Sequence, residues 1–129
     1  MERYKQSLGK YGEDAAAEFL LKKKYKILER NLKNRYGEID IIAKHKKDIV
    51  FIEVKTRLSN KYGAPYEAVN YYKQERITNA AKAYLSNKKL FDANVRFDIV
   101  EVYGVISDGK FELDKINHIE YAIEQVRQF

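Results

Sequence analysis

Asp40, Glu53 and Lys55 are the residues of this chain whose types and spacing suit hydrolytic chemistry on a phosphodiester. Side chains alternate faces along an extended strand, so Glu53 and Lys55 point one way and Val54 the other. If the two segments form an antiparallel hairpin closed by a four-residue loop at 45–48, Asp40 lies opposite Glu53, Ile42 opposite Phe51 and Glu38 opposite Lys55. The other face, Ile39, Ile41, Ala43, Val50, Ile52 and Val54, is then apolar throughout. Two carboxylates opposed across neighbouring strands, with Cβ atoms ~5 Å apart, repel by roughly 3 kcal/mol at an effective dielectric of about 20. A hard divalent ion removes that repulsion, and oxygen ligands suit Mg²⁺ in particular. A lysine beside the ion could orient or help deprotonate an attacking water and stabilise charge developing on a phosphate. Such triplets occur often by chance, and from spacing alone a purely structural arrangement is the commoner outcome: Lys55 paired with Glu38 or Glu53, and Asp40 meeting solvent at a sheet edge.

The elements that must position them are legible from periodicity. Leu8, Tyr11, Ala15, Ala16, Phe19 and Leu20 recur at helical spacing, and Lys22, Lys23 and Lys24 crowd the last turn, where cations suit the helix dipole. A short strand is predicted over 25–31, and a β-hairpin over 36–55, where the period changes to two. Ser, Asn, Gly and the sole proline, Pro65, make 57–66 a loop. A second helix is predicted from about Tyr66 to Ser86, with Lys73, Ile77, Ala80, Ala81, Tyr84 and Leu85 on one face. A strand over 95–105 follows, then a turn at Ser107-Asp108-Gly109, a short strand over 111–113 and a terminal helix over 119–126. This alternation predicts an α/β domain, a mixed sheet covered by helices.

The strings Gly37-Glu38-Ile39-Asp40-Ile41-Ile42-Ala43 and Val50-Phe51-Ile52-Glu53-Val54-Lys55-Thr56-Arg57 closely resemble the YraN-like family of bacterial proteins. The resemblance extends to Gly12-Glu13 with Ala15 and Ala16, to Arg30-Asn31 and to Arg96-Phe97-Asp98, and so covers nearly the whole chain. That family is similar to the PD-(D/E)XK nucleases and to archaeal Holliday-junction resolvases. It implies a restriction-endonuclease-like three-layer fold with an αβββαβ core, and a metal-dependent endonuclease acting on structured or branched DNA. By this resemblance Asp40, Glu53 and Val54 would hold Mg²⁺ or Mn²⁺, Lys55 would be the catalytic lysine, and Glu13 would approach from the first helix. Two other readings stay open: a nucleic-acid-binding module with little catalysis of its own, and an accessory protein with protein partners.

Composition sets the frame. A chain of 129 residues suits one domain, 1–129, able to bury a core without staples. No cysteine is present, which excludes disulfides, thiolate metal sites and cysteine nucleophiles. A net charge of +6 favours polyanions. Around the loop, Arg57, Lys61, Tyr62, Tyr66, Tyr71, Tyr72, Lys73 and Arg76 interleave cations and aromatics, a composition suited to phosphates and bases. Glu38 reads as a supporting acid or as a partner of Lys55, and Gln74 begins the second helix. His45 and His118 read as structural, with nothing in their spacing that suggests a zinc site. With no signal-type apolar run in the first ten residues and no bilayer-spanning stretch, a cytoplasmic location is expected. Two-fold symmetric substrates suit two-fold proteins, so a homodimer is compatible with this reading.

Overall fold

The structure, a computed structural model, describes residues 2–59 and 71–122. Its elements run α1 (Glu2–Lys22), β1 (Lys26–Asn34), β2 (Gly37–His45), β3 (Asp48–Leu58), α2 (Tyr71–Asn87), β4 (Asn94–Ser107) and β5 (Lys110–Ile119). The strands form one five-stranded sheet in the order β1-β2-β3-β4-β5. All neighbours are antiparallel except β3 and β4, which are parallel and therefore need the long crossover that contains α2. Helices cover both faces, giving the three layers of the restriction-endonuclease-like architecture.

Two cores explain the layering. Ala16, Ala17 and Leu20 of α1 pack on Ile41, Ala43, Val50, Ile52, Val100 and Val102. On the other face, Ala80, Ala81, Tyr84 and Leu85 of α2 pack on Ile39, Ile42, Ile49, Phe51, Phe97 and Ile99. The small residues of each helix let its backbone come close to the sheet. At Gly12 the approach leaves no room for a side chain: a Cβ there would lie 2.8 Å from Cβ of Thr56. Among the described residues no helix is long and apolar enough to cross a membrane.

The hairpin has the expected register, Ile42 with Phe51, but a tighter turn: His45 pairs with Asp48, leaving only Lys46 and Lys47 outside the ladder. One expectation about its faces fails. Ile39 belongs to the α2 core whereas Ile41 and Ala43 belong to the α1 core, so the alternation slips by one at Asp40. The β2–β3 ladder ends at Ile41 and Ile52, and the Val54 amide donates to Asp40 Oδ2 at 2.8 Å. A side chain has replaced a rung, and the strands part there.

The other differences lie at element ends. Tyr25 caps α1, its amide donating to the Leu20 carbonyl, and β1 begins one residue later. β3 continues beyond Lys55, since Thr56, Arg57 and Leu58 stay paired with Val102, Tyr103 and Gly104. Residues 60–66 of the predicted loop, and the predicted start of the second helix at Tyr66, lie outside the described residues. The short strand expected over 111–113 runs to Ile119, because β4 offers an edge whose backbone groups need partners. The terminal helix does not begin at Ile119: that residue pairs with Ile99, and the Ala122 amide donates to the Phe97 carbonyl at 2.8 Å. Residues 123–126 are outside the described set.

Candidate functional site

Where β2 and β3 part, carboxylates converge from three elements. Asp40 comes from β2, Glu53 from β3 and Glu13 from α1. Asp40 and Glu13 line a cavity of about 220 Å³ on the α1 side, with Leu8, Gly9, Val54 and Thr56. The Gly12–Thr56 contact brings α1 near enough for Glu13 to reach it. Glu53, in register with Ile99, faces the α2 side, where Lys55 and Lys73 close on its Oε1 at 3.1 and 3.4 Å. The carboxylates thus flank the parting of the strands from its two sides, Asp40 and Glu13 on the α1 side and Glu53 on the α2 side, and do not share one face as the sequence predicts.

The electrostatics of this opening are unresolved by the protein itself. Burial pushes the Asp40 carboxyl up to about 6, against the pull of the Val54 amide, with the charges of Glu53, Glu13 and Glu38 adding to the rise. Glu53 Oε2 and Glu13 Oε1 are buried without a hydrogen-bond partner. Arg30 comes within 4.0 Å of Glu13 but commits its hydrogen bond to Asp14 at 2.7 Å. Buried acceptors left unmet are costly, and a bound cation would satisfy them. Glu53 Oε2, Asp40 and Glu13 offer the oxygen donors that a hard divalent ion takes, and Val54 can add only its backbone carbonyl; the three carboxylates do not fall within 4.8 Å of one another.

The remaining expected residues divide. Arg57 turns inward, 3.8 Å from the buried carboxylate of Glu101, which also accepts from Asn117 at 2.9 Å. Arg76 donates to the Tyr36 carbonyl at 3.4 Å, and Tyr72 is exposed. Glu38 pairs with Lys33 at 3.0 Å, and so is not the partner of Lys55. Lys61, Tyr62 and Tyr66 lie outside the described residues, as does the side chain of Tyr71.

Sequence reasoning missed a second polar cluster on the α1 face at the hairpin turn. Arg96 donates to Asp98 at 3.0 Å, lies 3.4 Å from Asp48 and 3.6 Å from Glu120, and donates to the Tyr25 hydroxyl. His118 Nε2 lies 2.7 Å from Asp98, with Lys23 at 2.8 Å from its Nδ1, and His45 stacks on Tyr25 at 4.0 Å. An ammonium only donates, so Nδ1 accepts and the proton on Nε2 goes to Asp98. Among the described residues, Asp98, His118 and Glu120 are the group whose ligand atoms all fall within 4.8 Å of one another, closer than the three carboxylates of the opening. The Arg96 guanidinium already supplies a cation there; the spacing of the two histidines in the sequence gives no sign of this group, because Asp98, His118 and Glu120 come together only in the fold.

This α/β scaffold with carboxylates at the parting of two central strands has many relatives. Residues 12–102 match the uncharacterised protein family UPF0102, and the chain belongs to that family. It is 48% identical to a UPF0102 protein of Caldanaerobacter subterraneus over 89% of this chain and 93% of the relative. A UPF0102 protein of Clostridium perfringens is 52% identical over 88% of this chain and 93% of its own length. One from Syntrophomonas wolfei is 46% identical over 87% and 93% respectively.

Proposed function

We propose that this protein is a divalent-cation-dependent nuclease acting on DNA, with Mg²⁺ or Mn²⁺ held by Asp40, Glu53, Glu13 and the Val54 carbonyl. The observation that carries the reading is the pair of buried, unpartnered oxygens, Glu53 Oε2 and Glu13 Oε1, beside an Asp40 whose carboxyl is pushed up to about 6. Buried Glu101 also keeps an unmet oxygen, but beside a cation, Arg57 at 3.8 Å, whereas the charges that raise Asp40 are those of other carboxylates. Bound there, the ion would offset the carboxylate charge and polarise a phosphodiester oxygen. Lys55 and Lys73 share Glu53 Oε1, which keeps two ammonium groups at the edge of the opening, where a phosphate would lie. Lys73 and Arg76, one turn apart on α2, would carry phosphates of the same strand.

The test is a panel of linear, flapped, forked and four-way DNAs with Mg²⁺ or Mn²⁺, scored for cleavage and binding. Glu53→Ala and Lys55→Ala should each lower cleavage at least roughly a hundredfold. Metal-free binding should hold or tighten in Glu53→Ala, which removes a negative charge, and weaken modestly in Lys55→Ala. Binding without cleavage of any DNA would leave a nucleic-acid-binding module of this fold. Absence of salt-sensitive binding would remove the nucleic-acid reading altogether.

A further inference from the structure

A groove of about 810 Å³ lies between the β1–β2 turn and the C-terminal end of α2, apart from the carboxylate opening. Lys33, Arg35 and Tyr36 form one wall, Lys88 and Lys89 the other, and Tyr84 lies between them. Glu29 is the groove's one carboxylate against those four cations. We propose that this groove takes a single-stranded arm of the nucleic acid whose reacting phosphate lies at Asp40 and Glu53. The inference rests on the nucleic-acid reading above and adds the form of the substrate.

Both walls are fixed in place. Asn34 donates to the Ala80 carbonyl at 3.2 Å and accepts from the Tyr36 amide at 3.0 Å, which ties the turn to α2. At the far end Lys89 takes a left-handed conformation (φ 56°), with its amide on the Ser86 carbonyl and the Leu90 amide on the Leu85 carbonyl. Arg35 lies over the Tyr36 ring, 4.8 Å from its centroid, so a guanidinium and an aromatic face are presented together. A cation-lined concavity with the Tyr36 ring in its wall suits one strand with accessible bases, whereas a duplex keeps its bases stacked inside. Two elements run from the groove to the site. Gly37 adjoins Arg76 and is followed within the same strand by Asp40, while α2 carries Lys73 and Arg76 and ends at Asn87, just before Lys88 and Lys89. From Lys73 to Asn87 the helix rises ~21 Å at 1.5 Å per residue, the length of roughly six nucleotides of stacked strand at 3.4 Å each.

The experiment measures anisotropy of a blunt DNA duplex and of the same duplex carrying 5′ or 3′ oligothymidine arms of graded length. The wild type should bind the armed duplex about tenfold more tightly, with the gain levelling off near six nucleotides. The triple variant Arg35→Gln, Lys88→Gln, Lys89→Gly should lose that gain and bind the blunt duplex within about twofold of wild type. Its log–log salt slope on the armed duplex should be shallower by about 2, from ~0.7 per lost single-strand contact. Glycine suits the conformation at 89, which protects the variant from failing to fold. In the wild type, an iodouracil in the arm should crosslink to Tyr36. The proposal is overturned if arms of any length bring no gain, or if the triple variant weakens blunt and armed duplexes alike. Blunt-duplex binding without an arm effect removes this proposal alone; no binding of any probe removes the nuclease reading with it.

Discussion

Two regions of this molecule treat buried charge in opposite ways. At the hairpin turn, Arg96 and Asp98 are nearly inaccessible, with side chains 6% and 0% exposed, and each charged group meets another. At the parting of β2 and β3, Glu53 and Glu13 each keep a buried oxygen with no partner, and burial holds Asp40 toward its neutral form. A closed ion-pair network specifies how elements dock, since any other packing strands a charge. An open cluster of like charges opposes folding and makes sense when a ligand completes it. The tighter grouping of potential metal ligands is therefore the structural one, and the looser grouping is the candidate site.

The largest effects should come from opening the closed region. Arg96→Met leaves Asp98 buried without its guanidinium, held only by His118 Nε2–H and the Tyr121 amide, and should cost about 3 kcal/mol in urea unfolding. Replacing both, Arg96→Met with Asp98→Leu, should recover much of that loss, because the desolvation cost disappears with the charges. Glu53→Gln, by contrast, should leave metal-free stability within about 1 kcal/mol of wild type. A Glu53→Gln loss as large as that of Arg96→Met would erase the distinction between the regions.

Next comes the pH dependence of the open region. The folded-state value for Asp40, about 6, lies above its ordinary 3.8, so the folded protein holds that proton more tightly than the unfolded chain. The sign is therefore a penalty absent below pH ~4, growing as pH rises, and complete above ~6, up to about 3 kcal/mol. Metal-free stability should fall across that window. Asp40→Asn should flatten the fall while keeping an acceptor for the Val54 amide. A divalent ion added above pH 6 should restore the loss in wild type and not in the variant. An unchanged pH profile in Asp40→Asn would place the penalty elsewhere.

A third effect concerns how Glu13 reaches the opening. Gly12→Ala places a methyl against Thr56 and should cost about 1–3 kcal/mol, with cation affinity falling as Glu13 is pushed away. Adding Thr56→Ala should recover part of both, as measured by urea unfolding and Mn²⁺ titration. Recovery of stability without recovery of affinity would remove Glu13 from the cation site.

The contrast between the regions also explains what the sequence made legible. The hairpin register was readable because the 41–43 and 49–52 runs alternate and are separated by a short polar turn, so Asp40, Glu53 and Lys55 could be placed near one another. The slip at Asp40 was not, since Ile39, Asp40, Ile41 reads as uninterrupted alternation while the ladder is broken by a side chain. Glu13 was reachable only through the family resemblance: its position depends on Gly12 meeting Thr56, a contact no local pattern encodes. The closed network was invisible for the same reason, because Tyr25, Arg96 and His118 come from three elements far apart in the chain. β5 was read too short because outside the turn it carries mostly exposed residues, and so lacks a strong apolar period.

The smallest effect falls where α1 passes the chain from one region to the other. Lys24 sits just past the helix in a left-handed conformation (φ 72°), and its amide on Leu21 and that of Tyr25 on Leu20 aim Tyr25 into the Arg96 network. A side chain there costs about 1–2 kcal/mol that glycine avoids, against roughly 0.4–1 kcal/mol of extra unfolded-state freedom. Lys24→Gly should therefore raise stability by somewhat under about 1 kcal/mol, read as a higher urea midpoint with an unchanged m-value. Its effect should stop there. The cap touches the closed region only, and Glu13 lies three turns back along the helix at ~3.6 residues per turn. Mn²⁺ affinity at the carboxylate opening should match wild type. A shift in that affinity would mean that α1 couples the two regions as one rigid lever, and that the satisfied network helps set the geometry of the unsatisfied site.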